Sequence, residues 1–206
     1  LYCGLKALGV KPGDEIIIPA FTCVVVPNAI LYLKAKPIYC DITYKDFNID
    51  LKKIKKLINK KTKAIYIQHT FGYPCDISLI KNLCKKKNIL VIEDCAHIFP
   101  NKENNKIVHK HSDISYFSTD HSKFINTHLG GMITTNNKKI AKKIKIIKSS
   151  TKSLDLIQNL RVIISFILEN ILYHPNIYYF EKFFLKVFSK LKILFYFQDE
   201  LKIEKP

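Results

Sequence analysis

An α/β domain built on a largely parallel sheet, with helices on both faces, is the fold class this sequence predicts, and two observations carry it. Short, mostly apolar runs at Glu15–Ile18, Ala64–Gln68 and Ile89–Ile92 alternate with amphipathic stretches of helical spacing, and strands apolar on both faces belong to parallel sheets covered by helices. Hydrophobic residues make up 48% and aromatic residues 12% of the 206 residues. That content is enough for one sizeable core, or a core plus an appendage, and argues against intrinsic disorder.

Leu1–Leu8 reads as the end of an amphipathic helix closed near Gly9, and the turn KPGDE delivers a strand at Glu15–Ile18 that Pro19 ends. Phe21–Leu33 is apolar at helical spacing with Thr22 as its N-cap, and Pro37–Cys40 returns as a strand that ends at Asp41. Leu51–Ile58 places Leu51, Ile54, Leu57 and Ile58 on one helical face. Ala64–Gln68 is the next strand, HTFGYPCD (His69–Asp76) a loop and Ile77–Lys87 a helix. Ile89–Ile92 is a buried strand that runs out into Glu93, Asp94, Cys95, Ala96 and His97. Ile114–Phe117 and Met132–Thr135 read as two further buried strands, and Lys138–Ile147 as a basic helix.

A linker near Ser149–Ser153 separates a core, residues 1–148, from a basic amphipathic helical segment, residues 149–206. In that segment Leu160, Ile163, Ile164, Ile167, Leu168, Ile171 and Leu172 keep helical spacing, as do apolar residues over Phe180–Leu194 after Pro175. Glu169, Glu181, Lys182, Lys186 and Lys190 interrupt the apolar runs, which fall short of the roughly 20 residues needed to cross a bilayer. Two placements suit such a segment: a hairpin packed on its own domain, or a cover over a partner subunit or a membrane surface through residues 160–197.

The net charge of +17 suits anionic ligands, but the lysines are spread through the whole chain among many Ile and Asn residues. No zinc-finger spacing, RRM signature or Gly-Arg repeat accompanies the charge, so no nucleic-acid partner is expected. The six cysteines show no CxxC pair and sit mostly in strand-like runs, which reads as reduced core residues of a cytoplasmic protein. Cys95, His97, His109 and His111 match no zinc spacing, and no metal is expected. No signal peptide is visible, and the chain starts without Met in mid-pattern, so an N-terminal part is expected to be missing.

The chemistry concentrates in FSTDHSKFINTHLGGM, Phe117–Met132, a loop between two strands. Lys123 lies near its middle, Ser118 five residues before the lysine, and Gly130 and Gly131 after it. Amine, hydroxyl and close backbone approach together suit a phosphate-bearing cofactor held by an imine. Pyridoxal phosphate also requires a carboxylate against its pyridine nitrogen and a flat or apolar neighbour for its ring. Asp94, at a strand end about 30 residues before Lys123, suits the carboxylate role.

The stretches GDEIIIPAFTCVVVPNAILYLKAKPIYCDI, FNIDLKKI, HTFGYPCDI, ILVIEDCAH and FSTDHSKFINTHLGGMITTNN resemble, in this order, blocks of the DegT/DnrJ family of sugar aminotransferases. The resemblance runs from about Leu1 to Asn137. It implies the three-layer αβα large domain of a fold-type I pyridoxal phosphate-dependent transferase. It also implies transfer of an amino group from an amino acid, typically glutamate, to a keto sugar nucleotide in cell-surface polysaccharide or amino-sugar biosynthesis. A homodimer whose sites borrow residues across subunits is part of the same implication.

Residue by residue, the resemblance makes Lys123 the Schiff-base lysine and proton shuttle, and Asp94 the partner of the pyridine nitrogen. It sets His97 near the cofactor ring and hydroxyl, and Ser118 on the phosphate. His69, in the HTFG block, reads either as a site residue or as a loop histidine bonded to backbone. Cys23 stands where the family has a stacking aromatic, which leaves ring packing to a neighbour such as Phe21. The family's Gly-Thr phosphate turn would lie before Leu1, and its small C-terminal domain has no counterpart in Ser149–Pro206. Relatives with histidine in place of the lysine are dehydratases. His121 lies two residues before Lys123, but the spacing from Ser118 favours Lys123. The departures leave two alternatives, an inactive truncated remnant and a membrane-surface module.

Overall fold

The computed structural model describes residues 1–98, 111–120, 122–127, 129–172, 183–184 and 187–188. Apart from Phe183, Phe184, Val187 and Phe188, which are helical, the Phe180–Leu194 helix read from the sequence lies outside the described residues, as do His109 and His121. The chain divides into two units. The first holds Leu1–Ser118 and Gly131–Ser150, the second Thr119–Gly130 and the residues from Thr151 to Lys202.

In the first unit the strands β1 (Glu15–Pro19), β2 (Lys36–Cys40), β3 (Thr62–Gln68), β4 (Leu90–Asp94), β5 (Ile114–Ser118) and β6 (Gly131–Thr134) form one sheet in the order β2-β1-β3-β4-β5-β6. The ladders from β2 through to β5 are all parallel, and β6 joins β5 antiparallel. Alternation along each strand splits the core in two, because successive side chains leave opposite faces. Ile16, Ile18, Ala64, Tyr66, Ile92 and Ile114 pack with Leu5 near the end of α1 (Tyr2–Ala7) and with Val26, Ala29 and Ile30 of α2 (Val25–Leu31). Ile17, Ile65, Ile67 and Val91 pack with Ile54 of α3 (Leu51–Leu57) and with Ile77, Ile80 and Cys84 of α4 (Ile77–Lys85). Helices therefore cover both faces, as the apolar strands require.

Local signals start the helices of the second face. Asp50 caps α3 by accepting the Lys52 N–H, and Asp76 caps α4 by accepting those of Ser78 and Leu79. On the other face the expected cap fails. α2 begins at Val25 with no side-chain cap, because Val24 and not Thr22 stands at the cap position; the Thr22 hydroxyl donates to Gln68 Oε1 at 2.7 Å. β6 corrects a second expectation. Read as a buried strand, it lies at the sheet edge with Met132 49% exposed, since a neighbour covers it on one side only.

Within the first unit α5 (Lys138–Ser150) is longer than expected, and Ser149 and Ser150 extend it rather than opening a linker. In the second unit α6 (Leu156–Leu172) carries the helical spacing read from Leu160 to Leu172 and leaves Leu156, Ile157, Leu160, Ile163 and Ile171 exposed. Among the described residues no helix is long and apolar enough to cross a membrane.

Candidate cofactor site

From β1 the chain moves outward to β2 and returns to β3 on the other side of β1, so strand order reverses between β1 and β3. In open α/β sheets ligands bind past the carboxyl ends of the strands at such a reversal. The residues that follow those two ends are tied to one another here. Thr22 donates to Gln68, the Gln68 side-chain amide donates to Thr70 Oγ1 at 3.1 Å, and the Thr70 hydroxyl donates to the Phe47 carbonyl at 3.1 Å. The rings of Phe21, Phe47 and Phe71 form a triangle with centroid separations of 5.9–6.2 Å. Phe71 also lies parallel to the His97 imidazole, at an interplanar angle of 3°. Phe47 and Phe71 adopt φ values of 56° and 51°, a left-handed backbone that costs a bulky residue roughly 1–3 kcal/mol.

Asp94 ends β4 and is 6% exposed. Its Oδ1 accepts the Ala96 N–H at 2.8 Å and its Oδ2 the Tyr66 phenol at 2.5 Å. The Tyr66 and Tyr116 hydroxyls are hydrogen-bonded to each other. Parallel register sets Gln68 and Tyr116 beside Asp94. Burial pushes the Tyr116 phenol well above its ordinary value. Ser118 closes β5 opposite Gly131 of β6. A Cβ at Gly131 would come within 2.5 Å of the Phe117 carbonyl oxygen, so the close backbone approach expected at this glycine serves strand pairing.

His69 answers to its backbone-bonding reading and goes beyond it. Its Nδ1 accepts the Cys75 N–H at 3.0 Å, so the ring proton sits on Nε2 and is donated to Glu93 Oε1 at 3.0 Å. Glu93 Oε2 accepts the Ser112 and Ser115 hydroxyls, each at 2.7 Å. The ligand atoms of His69, Glu93 and Cys95 lie within 4.8 Å of one another, close enough to suggest a metal. Their chemistry argues otherwise. Both imidazole nitrogens and both carboxylate oxygens already carry hydrogen bonds, and burial pushes the Cys95 thiol far above its usual range, away from the thiolate a metal needs.

Of the residues singled out in the sequence, Asp94, His97 and Ser118 fall together in the first unit, at or just past the carboxyl ends of β4 and β5. Lys123 belongs to the second unit, where its N–H donates to the Asp120 carbonyl at 2.9 Å. The segment around it is closed by Thr127, which bonds the Thr119 carbonyl through its N–H at 2.9 Å and the Thr119 hydroxyl at 2.7 Å. Phe21, the neighbour to which Cys23 leaves ring packing, lies in a cluster with Phe47 and Phe71. Tyr66, Tyr116 and Gln68 join the site only in the structure. A phenol inside an otherwise aliphatic strand such as AIYIQ was the available signal, because a buried tyrosine hydroxyl needs a partner.

A parallel sheet covered on both faces, closed at one edge by an antiparallel strand and ending at β4 in a buried aspartate, is the large-domain architecture of fold-type I pyridoxal phosphate aminotransferases. A solved aminotransferase from Psychrobacter cryohalolentis superposes with a TM-score of 0.69 at 31% identity, covering 74% of this chain and 39% of that one. The structure of NtdA from Bacillus subtilis with bound cofactor PMP matches with a TM-score of 0.65 at 31% identity, over 75% of this chain and 37% of that one. A GDP-perosamine synthase from Escherichia coli is 43% identical over 138 residues, 67% of this chain and 38% of that protein. The model of the DegT/DnrJ/EryC1/StrS aminotransferase family matches residues 1–162, and the chain belongs to that family. It spans well under half the length of each relative named here.

Proposed function

We propose a pyridoxal phosphate-dependent aminotransferase that moves an amino group from an amino acid, glutamate in the first instance, to a keto sugar carried on a nucleotide. The observation that carries this reading is Asp94, a buried carboxylate with two hydrogen-bond donors at the carboxyl end of β4 in an aminotransferase-family sheet. The name of the Escherichia coli relative favours a GDP-linked sugar, and the PMP in NtdA favours the cofactor. When bound, the cofactor supplies an aldehyde that condenses with amines and a ring that draws electrons from the adjoining carbon. The residues present suit it. Asp94 would hold a proton at the ring nitrogen, the parallel His97 and Phe71 rings would offer a flat surface, and the Ser118 hydroxyl would donate to phosphate. The Lys123 amine would hold the cofactor covalently and would move the proton at the reacting carbon. The same reading includes a homodimer. A second reading is peripheral membrane contact through the basic amphipathic segment 160–197, supported by the exposed apolar side chains of α6.

Incubation with equimolar pyridoxal phosphate, borohydride reduction and peptide mass spectrometry test the first reading. Label concentrated on Lys123, with loss of the visible-edge absorbance in Lys123→Ala, is the expected result. Label spread evenly over the many surface lysines defeats the assignment and favours a remnant that keeps the fold without turnover.

A further inference from the structure

Burial works against the role proposed for Asp94. At 6% exposure, burial by itself penalises the carboxylate relative to the neutral acid, and an acid holding its own proton is a poor acceptor for a ring N–H. Donors to the carboxylate offset this. Besides the Ala96 N–H on Oδ1, the phenol of the fully buried Tyr66 reaches Oδ2 at 2.5 Å. That phenol has one proton and gives it to Asp94, so in its bond with Tyr116 the Tyr66 oxygen accepts and Tyr116 donates. The two tyrosines come from β3 and β5, the strands on either side of β4, and their rings lie 5.9 Å apart. A donor that is itself accepting a hydrogen bond is polarised and donates more strongly. The chain from Tyr116 through Tyr66 to Asp94 is therefore directional, and the burial that keeps Tyr116 protonated preserves its direction.

We propose that Tyr66, backed by Tyr116, is a positioning residue that keeps the Asp94 carboxylate ionised and fixed in orientation for the ring nitrogen of the cofactor. The inference rests on the cofactor reading above. It also assigns a task to two aromatic residues that core packing alone would let be phenylalanine. Of the other titratable groups, the Leu1 amine and the Cys95 thiol lie within electrostatic reach of Asp94, and Cys23 within reach of Tyr116. None of them is altered in the variants below.

The test titrates the Asp94 carboxyl carbon by NMR in the cofactor-free chain, with Asp94→Asn to assign the signal. Tyr66→Phe is expected to raise the Asp94 midpoint by about one pH unit, and Tyr116→Phe to raise it by less. An Asp94 midpoint that stays put in both variants overturns the proposal. A second arm compares binding of pyridoxal phosphate with an analogue that has carbon in place of the ring nitrogen. Tyr66→Phe is expected to weaken binding of the first severalfold and to leave the second unchanged, whereas equal losses on both would reduce Tyr66 to a packing role. If the wild-type chain binds neither molecule, the cofactor reading fails and the ring-nitrogen role falls with it. The carboxyl titration still decides separately whether Tyr66 governs Asp94.

Discussion

Glu93 and His69 are almost wholly buried, with side chains 0% and 2% exposed, and together they tie β3, β4 and the loop that follows β3. The imidazole has one ring proton, and Cys75 occupies the other nitrogen, so the pair is a hydrogen bond from neutral histidine to a buried carboxylate. Two serine hydroxyls also donate to the carboxylate. Removing one member leaves its partners unsatisfied in low dielectric, which is where buried polar groups become expensive. Glu93→Ala is expected to lower the unfolding free energy by about 3 kcal/mol, read from urea denaturation followed by circular dichroism. A shift within error of zero would mean that the network contributes nothing net. His69 shows how far one residue can be read from sequence. A backbone bond is within reach of a local reading of HTFG, but Glu93 lies 24 positions away and no local spacing links the two.

At the scale of elements, Gly131 is the position where sequence and pairing meet most tightly. It stands opposite Ser118 in the antiparallel ladder, and an added Cβ would press to 2.5 Å from the Phe117 carbonyl oxygen, a backbone atom that cannot swing away. Gly131→Ala should therefore cost about 1–3 kcal/mol as an overpacking change and loosen β6 first. Hydrogen exchange at Met132 and Ile133 should rise more than at Ile92 in the sheet centre. Uniform exchange across the sheet would refute that placement. The strands and their order in the chain were legible because apolar runs bounded by turn residues repeat down the sequence. The start of α2 was not, since the helix opens at Val25 with the non-capping Val24 before it, while Thr22 is bonded to Gln68, 46 residues on.

At the scale of the molecule, charge and exposed apolar surface set the expectations for the second reading. The chain carries +17, and α6 exposes Leu156, Ile157, Leu160, Ile163 and Ile171. Sedimentation with anionic vesicles that weakens as salt rises is the outcome expected of a membrane-surface contact, since screening shortens the reach of charge; absence of binding at low salt would remove that reading. By itself the sequence determined the α/β class, the succession of strands and helices, and the family, because periodicity, turn chemistry and ordered motif blocks are all local signals. It also marked Asp94, His97, Ser118 and Lys123 as the residues to watch. Only the tertiary structure decided the strand order with its reversal between β1 and β3, the edge position of β6, and the links of Tyr66 and Tyr116 to Asp94 and of His69 to Glu93. Those depend on which strands lie side by side, and lateral pairing joins residues whose separation along the chain leaves no periodic trace.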